Sequence, residues 1–169
     1  MENPFYSKNV FINCPFDEAY KPLFNAIIFT TQYCGFTARS AREKDDSGEI
    51  RLDKIISIIK ECKFSIHDIS RTEIDNNTNL PRFNMPLELG IDIGIKKSSV
   101  PGYRNKQILI MDKEPFRYRN FISDIAGQDI KSHNNKEETV IKSTREFLGN
   151  HYTNIAHGSV ITKKYLEFK

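Results

Sequence analysis

The sequence predicts a three-layer α/β domain of the Rossmann-like (flavodoxin-like) type, with a mainly parallel sheet of about five strands. Short runs of β-branched and aromatic residues alternate along the chain with longer runs whose apolar residues recur at helical spacing. Successive parallel strands need a crossover between them, and the helical runs supply it. The 169 residues fit one domain, 1–169, in which residues 150–169 form a C-terminal helix or arm.

The predicted strands are short apolar segments that stop at a proline or at a polar loop. The first ends at Cys14, directly before Pro15. The segment that ends at Asp112 has a stronger strand pattern than the weak segment around Ala38. The predicted strands are residues 8–14, 36–40, 63–69, 106–112 and 129–131.

The helices between these strands are predicted from apolar periodicity and from residues that suit helix ends. Asp17 is a candidate cap for the first helix, whose regular part begins near Pro22 and ends at Gly35. Asp46 and Glu49 have capping-box spacing ahead of the second helix, and Asn135 with Glu138 repeats this pattern ahead of the helix at 135–149. The other predicted helices lie at 116–127, at 135–149 and in the C-terminal tail.

The segment 84–95 gives conflicting signals. Its leucines and isoleucines alternate with polar residues or glycines, which by period alone indicates a strand. We predict a helix instead, because Pro86 suits a first helical position and the neighbouring parallel strands need a crossover. Gly90 and Gly94, one helical turn apart, are then expected to let the helix lie close to the sheet or to a ligand.

Composition limits the classes of function. With 38% hydrophobic and 28% charged residues and no long apolar run, we expect a cytoplasmic globular protein without a membrane span or secretion signal. Three cysteines without a C-x-x-C pair indicate neither a zinc site nor a disulfide framework, and no metal is expected. A net charge of +3 does not predict nucleic-acid binding, and the basic stretch 113–119 is expected to be a solvated surface.

Ligands of such sheets bind beyond the carboxyl ends of the strands. The segments predicted at that edge are 13–17, 39–42, 68–71 and Asp112. The start of the third helix brings Glu88 to the same edge, where free N–H groups and the helix dipole favour a charged carboxylate. A charged carboxylate suits a nucleophile better than an acid.

Two motifs at this edge are residues 10–17 and the pairing of Asp68-Ile69-Ser70 with Asn84-Met85-Pro86-Leu87-Glu88-Leu89-Gly90-Ile91. Together they resemble the nucleoside 2-deoxyribosyltransferase superfamily and its TIR-like relatives, over roughly residues 8–112. The resemblance implies cleavage or transfer at an N-glycosidic bond of NAD or a related nucleotide or nucleoside. It gives Glu88 the role of nucleophile or oxocarbenium stabiliser. Asp68, at the end of a central strand, is the other catalytic candidate, as a carboxylate that could accept hydrogen bonds from sugar hydroxyls. By the same analogy it implies a role in bacterial antiviral defence.

Further residues are candidates for substrate binding. Asn13 and Asp17 could contact the base or the ribose, loop arginines could hold a phosphate through two hydrogen bonds, and Phe16 or Phe83 could stack on a base. Arg42 and Arg71 belong to these loop arginines. The expected binding set is Asn13, Cys14, Phe16, Asp17, Arg39, Ser70, Arg82, Asn84 and Met85.

Several alternatives stay open. Glu88 could be an ordinary helix-start glutamate and Asp68 a structural cap, or Cys14 and His67 could form a thiolate–imidazole pair. The same edge could serve a non-catalytic nucleotide sensor or a TIR-like assembly module. The sequence contains no G-x-G-x-x-G and no P-loop pattern, so we expect no cofactor, and NAD or a nucleotide as substrate or ligand. A homo-oligomer is expected.

Overall fold

The computed structural model describes residues 4–43, 46–75, 78–150, 152 and 155–169. Its main sheet and helices follow each other in the alternation that the sequence predicts. The strands are β1 Asn9–Asn13, β2 Thr37–Arg39, β3 Phe64–Asp68, β4 Ile74–Asp75, β5 Leu80–Pro81, β6 Gln107–Asp112 and β7 Lys131–Ser132. The α-helices are α1 Lys21–Tyr33, α2 Arg51–Lys60, α3 Asn84–Lys97, α4 Glu137–Gly149 and α5 Gly158–Phe168.

The main sheet is parallel throughout, in the spatial order β2-β1-β3-β6-β7. Counted along the chain, its strands therefore lie in the order 2-1-3-4-5, which is the order of the flavodoxin-like doubly wound sheet. The predicted fold class is confirmed. The order reverses between β1 and β3, and ligands of such sheets bind outside the carboxyl ends of the strands at that point.

Helices cover both faces of this sheet. Val10 and Ile12 point toward the layer formed by α1, α4 and α5, whereas Phe11 packs with α2 and α3 on the opposite face. β1 and β3 are buried along their whole length, as expected for parallel strands covered on both sides. The alternation places the side chain of Asn13, at the end of β1, on the α3 side.

The predicted helix caps are wrong in two places. α2 begins at Arg51 without a side-chain cap, and Asp46 instead accepts the N–H of Gly48 at 2.9 Å in a turn ahead of the helix. α4 begins at Glu137, also without a side-chain cap, so the capping pattern expected at Asn135 is not formed. The predicted helix 116–127 is replaced by two short 3₁₀ segments, Arg117–Asn120 and Ser123–Ile125.

α3 confirms a helix in the segment with conflicting signals. Leu87 is 56% exposed and Leu89 is fully buried, which a strand with both on one face would not allow. The expected role of the glycines is wrong. Gly90 and Gly94 face solvent, and a Cβ atom at either would meet nothing within 4 Å.

A hairpin that the sequence did not predict stands between β3 and α3. β4 and β5 pair antiparallel, with Ile74 opposite Pro81 and Asp75 opposite Leu80. Two-residue strands are too short to give a period-2 pattern, so the sequence carried no strand signal there. Among the described residues no helix is both long and apolar enough to cross a membrane.

Leu89 and Leu87 provide a direct test of the helical arrangement of α3. Leu89→Ala should lower the free energy of unfolding by about 2–5 kcal/mol because it leaves a cavity in the core. Leu87→Ala, the matched exposed control, should change it by no more than about 0.5 kcal/mol. Urea unfolding of both variants measures the difference, and equal losses would contradict the helix.

Candidate functional site

A cleft of about 540 Å³ opens where the sheet order reverses, beside the carboxyl ends of β1 and β3. Its walls are the loop after β1, the first residue of α2, the β4 strand of the hairpin with its flanking residues, and the start of α3. The lining residues are Asn13, Cys14, Pro15, Phe16, Asp17, Arg51, Arg71, Glu73, Ile74, Asp75, Arg82, Asn84, Met85 and Glu88.

The cleft brings together most of the site residues predicted from the sequence. Those that line it are Asn13, Cys14, Phe16, Asp17, Arg82, Asn84, Met85 and Glu88. Three others lie outside its lining, namely Arg39, Asp68 and Ser70.

Glu88 is a buried carboxyl group on the wall of the cleft. It is 8% exposed, and no hydrogen bond joins its carboxylate to another described side chain. Loss of hydration raises its pKa to about 7, while the positive charge of Arg51 acts in the opposite direction. At neutral pH this carboxyl group is therefore present in both its protonated and its charged form.

The predicted environment of Glu88 was wrong. Glu88 is the fifth residue of α3, and the first turn of this helix contains no acidic residue. The free N–H groups of a helix end with its first turn, so they cannot stabilise this carboxylate. Burial then dominates, and Glu88 suits proton transfer better than it suits the role of a permanently charged nucleophile.

Asp68 is held inside the protein, away from the cleft. Its Oδ2 accepts the hydroxyl proton of Tyr20 at 2.6 Å and lies 3.0 Å from Nε2 of His133, and its Oδ1 accepts the N–H of Ser70 at 2.9 Å. Burial alone would raise the pKa of Asp68, but these contacts hold it below its ordinary value. Asp68 thus joins the ends of β3 and β7 to the start of α1, and both it and Ser70 are buried outside the cleft lining.

Arg39 also belongs to the scaffold. It lies on the edge strand β2, where its guanidinium donates to Glu43 at 2.6 Å and to Glu61 at 3.3 Å. The N–H groups of the Arg39 guanidinium are therefore engaged by the carboxylates of Glu43 and Glu61. The phosphate-binding role expected for Arg39 is therefore not supported by its position.

Three arginines line the cleft and differ in their partners. Arg71 donates to both carboxylate oxygens of Asp17, at 3.1 and 3.2 Å, and Arg82 lies 3.5 Å from Asp75. The guanidinium of Arg51 forms no hydrogen bond or ion pair with another described side chain. Its positive charge attracts the carboxylate of Glu88. No local pattern in the sequence marks Arg51 as a cleft residue, because it lies at the start of a helix far from the other cleft residues in the chain.

The thiolate–imidazole alternative does not form. Cys14 packs in the core cluster on the α1 side, whereas His67 lies on the α3 side beside Phe11. Burial raises the pKa of Cys14 well above its ordinary value, and the nearby carboxylates of Asp68 and Glu88 raise it further. Cys14 therefore stays a thiol at neutral pH.

The two phenylalanines considered for stacking have different surroundings. Phe16 lines the cleft and is 38% exposed, but its ring packs edge-on against Phe24, and Arg42 lies 5.3 Å from the ring centre. Phe83, 54% exposed, precedes α3 and does not line the cleft. Within the described ranges, no group of three or more His, Cys, Asp and Glu side chains is arranged to hold a metal ion.

No protein-family model and no curated protein sequence matches this chain. Among solved structures it matches a diflavin flavoprotein A3 from Nostoc sp., with 14% sequence identity and a TM-score of 0.47. The match covers 99% of this chain and 100% of that one. A likeness at this level assigns no ligand or activity to the cleft.

These findings correct the family predicted from the sequence. The matched structure is a flavoprotein, and neither a nucleoside 2-deoxyribosyltransferase nor a TIR-like protein was found. The predicted family is therefore wrong. With it fall the predicted chemistry at an N-glycosidic bond of NAD or a nucleotide, the nucleotide-sensor and assembly alternatives, the antiviral role, and the expectation that no cofactor is used. The motif around Glu88 misled because it is short and a glutamate near a helix start is common.

The shifted pKa of Glu88 predicts how its removal changes stability with pH. The folded protein favours the protonated form of Glu88. The free energy of unfolding therefore decreases as pH rises from about 4.5 to about 7, and it does not recover above pH 7. Glu88→Gln lacks this loss and should gain stability relative to wild type, on the order of 3 kcal/mol, between pH 4.5 and pH 8. Urea unfolding across this range measures the gain.

The matched control for this measurement is Glu146→Gln, on the exposed face of α4. Its stability relative to wild type should change little over the same range. If the stability of Glu88→Gln relative to wild type also stayed constant over this pH range, Glu88 would titrate like an ordinary surface glutamate.

Proposed function

We propose that the cleft is the active site of an acid–base enzyme that acts on a small anionic molecule, with Glu88 exchanging a proton with the substrate. The observation that carries this proposal is the carboxyl group of Glu88, which is 8% exposed, faces the cleft and has no hydrogen-bonding partner among the described side chains. A buried polar group without a partner costs stability, so a ligand that supplies the partner offsets that cost.

The proton affinity of Glu88 supports the same role. A general acid or base works best when its pKa lies near the working pH, and burial raises the pKa of Glu88 to about 7. The protonated carboxyl can donate to a substrate atom and is then left as a carboxylate, which regains its proton from water. The reverse sequence removes a proton from the substrate. Neither direction requires Cys14, which remains a thiol.

The charges of the cleft support an anionic substrate. Arg71 and Arg82 are each paired with a carboxylate, whereas Arg51 has no such partner among the described side chains. A guanidinium offers a fork of N–H groups that matches a carboxylate or a phosphate. An anion on Arg51 would lie beside Glu88 and would favour the protonated form of that carboxyl.

The size and place of the cleft are suitable for such a ligand. A volume of about 540 Å³ lies within the range of small-molecule sites, and the cleft opens at the reversal of strand order. A cytoplasmic location belongs to the proposal and is supported by Cys14, Cys34 and Cys62, which are buried free thiols. Association of copies also stays a proposal, supported by exposed apolar side chains near the cleft, namely Ile74, Leu80, Phe83 and Leu87.

Calorimetric titration with simple anions tests the proposal. The probes are inorganic phosphate, pyrophosphate, glycerol 3-phosphate and flavin mononucleotide, the last of which joins a phosphate to a flat ring system. We expect at least one probe to bind, and Arg51→Gln to weaken that binding about tenfold or more, since a charged hydrogen bond is lost. Repeating the titration at pH 7 in buffers of different ionisation enthalpy should reveal a proton uptake by wild type that exceeds that of Glu88→Gln, because the ionisation of the probe itself contributes equally to both.

Two matched variants serve as controls. Arg104→Gln removes an exposed arginine outside the cleft lining, and Glu146→Gln removes a carboxylate from the outer face of α4. Both should bind the probe as wild type does. The proposal fails if no probe binds, if Arg51→Gln binds as tightly as wild type, or if Glu88→Gln takes up as many protons as wild type does.

A further inference from the structure

A continuous chain of buried polar contacts begins at the floor of the cleft. The Nδ2 atom of Asn13 donates to the main-chain oxygen of Met85 at 3.0 Å and to Nδ1 of His67 at 2.9 Å. A carbonyl oxygen can only accept, so the amide orientation of Asn13 is fixed and His67 must accept at Nδ1. The proton of the imidazole therefore lies on Nε2.

The chain continues beneath α3. Nε2 of His67 donates to Oδ2 of Asp92 at 3.0 Å, and Oδ1 of Asp92 lies 3.3 Å from Nζ of Lys106. Lys106 in turn donates to the main-chain oxygens of Ile59 at 2.9 Å and Cys62 at 2.5 Å. The side chains of His67, Asp92 and Lys106 are fully buried.

A buried ion pair is an expensive way to fill a core. Taking two charges out of water often costs as much as their attraction returns, and apolar side chains of similar volume serve stability as well or better. What the cluster does provide is direction, because the hydrogen bond from His67 to Asp92 allows one arrangement of α3 against β3. The role of Asp92 is therefore the geometry that this hydrogen bond imposes on α3.

The spacing along α3 connects that geometry to the cleft. Met85, Glu88 and Asp92 are separated by three and four residues, so all three lie on one face of the helix. Met85 is tied to β1 through Asn13, and Asp92 is tied to β3 and β6 through His67 and Lys106. Glu88 lies between the two attachment points, one turn from each.

We propose that the buried chain of Asn13, His67 and Asp92 is the positioning device of this site, fixing the rotation of α3 so that Glu88 faces the cleft without a partner among the described side chains. His67 and Asp92 are positioning residues, since they act on the cleft through α3 and do not touch it. The usefulness of this arrangement rests on the proposed function, whereas the arrangement itself can be tested in the ligand-free protein.

The groups around Glu88 indicate what a loss of this chain would do. Arg51 faces it from α2, and the thiol of Cys14 faces it from the end of β1. Across the cleft, Arg71 and Arg82 are each held by a carboxylate. If α3 rotated, Glu88 would meet either water or Arg51, and both changes would lower its pKa from about 7 toward its ordinary value.

Two double variants isolate this effect. Asp92→Leu with Lys106→Met removes the ion pair and the acceptor of His67, whereas Asp92→Asn with Lys106→Met removes the pair but keeps an acceptor for His67. Both remove one charge of each sign, so a direct electrostatic influence on Glu88 is the same in the two proteins. The first should lower the pKa of Glu88 by about one unit or more, and the second should leave it near the wild-type value.

The measurement is a titration of the ¹³C-labelled carboxyl signal of Glu88, identified by its loss in Glu88→Gln and followed without ligand. His67→Leu, which breaks the chain but leaves Asp92 beside Lys106, should lower the same pKa. The proposal is overturned if the leucine double variant and His67→Leu fold and titrate as wild type does. It is also overturned if both fail to fold while the asparagine double variant folds, because the chain would then serve the fold alone.

Discussion

The side-chain amide of Asn13 is the contact on which the cleft depends. It stands at the carboxyl end of β1 and joins three parts of the chain, because one amide nitrogen donates both to His67 on β3 and to the main chain of Met85 on α3. A central strand of a parallel sheet is covered on both faces, so a polar group at its end must find partners within the protein. Asn13 finds them in β3, its neighbour in the sheet, and in α3, whose start lines the cleft.

Three buried carboxyl groups show that hydrogen-bonding and charged partners decide whether burial raises the pKa of a carboxyl group. Asp68, Asp92 and Glu88 are all 8% exposed or less. Burial would raise the pKa of each, yet hydrogen-bonding and charged partners hold Asp68 and Asp92 below their ordinary values. Glu88 has no hydrogen-bonding partner among the described side chains, and burial outweighs the charge of Arg51, so its pKa rises to about 7. Of the three, Glu88 is the carboxyl group that lines the cleft and the one poised to exchange a proton at neutral pH.

Partners also decide the role of the three cleft arginines, Arg51, Arg71 and Arg82. Asp17 neutralises Arg71 and Asp75 lies beside Arg82, so these two side chains shape the wall of the cleft more than its net charge. Arg51 is left to act on Glu88 and on whatever enters. In the proposed function an anion binds at Arg51 alone, beside the titrating carboxyl group of Glu88.

The sequence by itself determined the alternation of strands and helices, because the periods of 2 and 3.6 residues are local properties of the chain. It also determined that Asn13, Asp17 and Glu88 would meet at one edge, since carboxyl ends of parallel strands lie together. It could not show the short strands β4 and β5, or that Arg51 reaches the cleft, because neither has a local pattern. The ends of α2 and α4 were misplaced because turns and packing, not cap residues, decide where those helices begin.

Tertiary structure alone decided the charge state and the roles of these residues. Asn13 and Met85 are 72 residues apart in the chain, and Asn13 and His67 are 54 apart, so their contacts leave no trace in any local pattern. In the sequence, Asp68 and Glu88 are both carboxylates at the end of a predicted element. Asp68 lies at the end of a strand and Glu88 near the start of a helix. Folding surrounds Asp68 with hydrogen-bond donors and gives Glu88 none among the described side chains, so hydrogen bonds replace the lost hydration of the first carboxylate and not of the second.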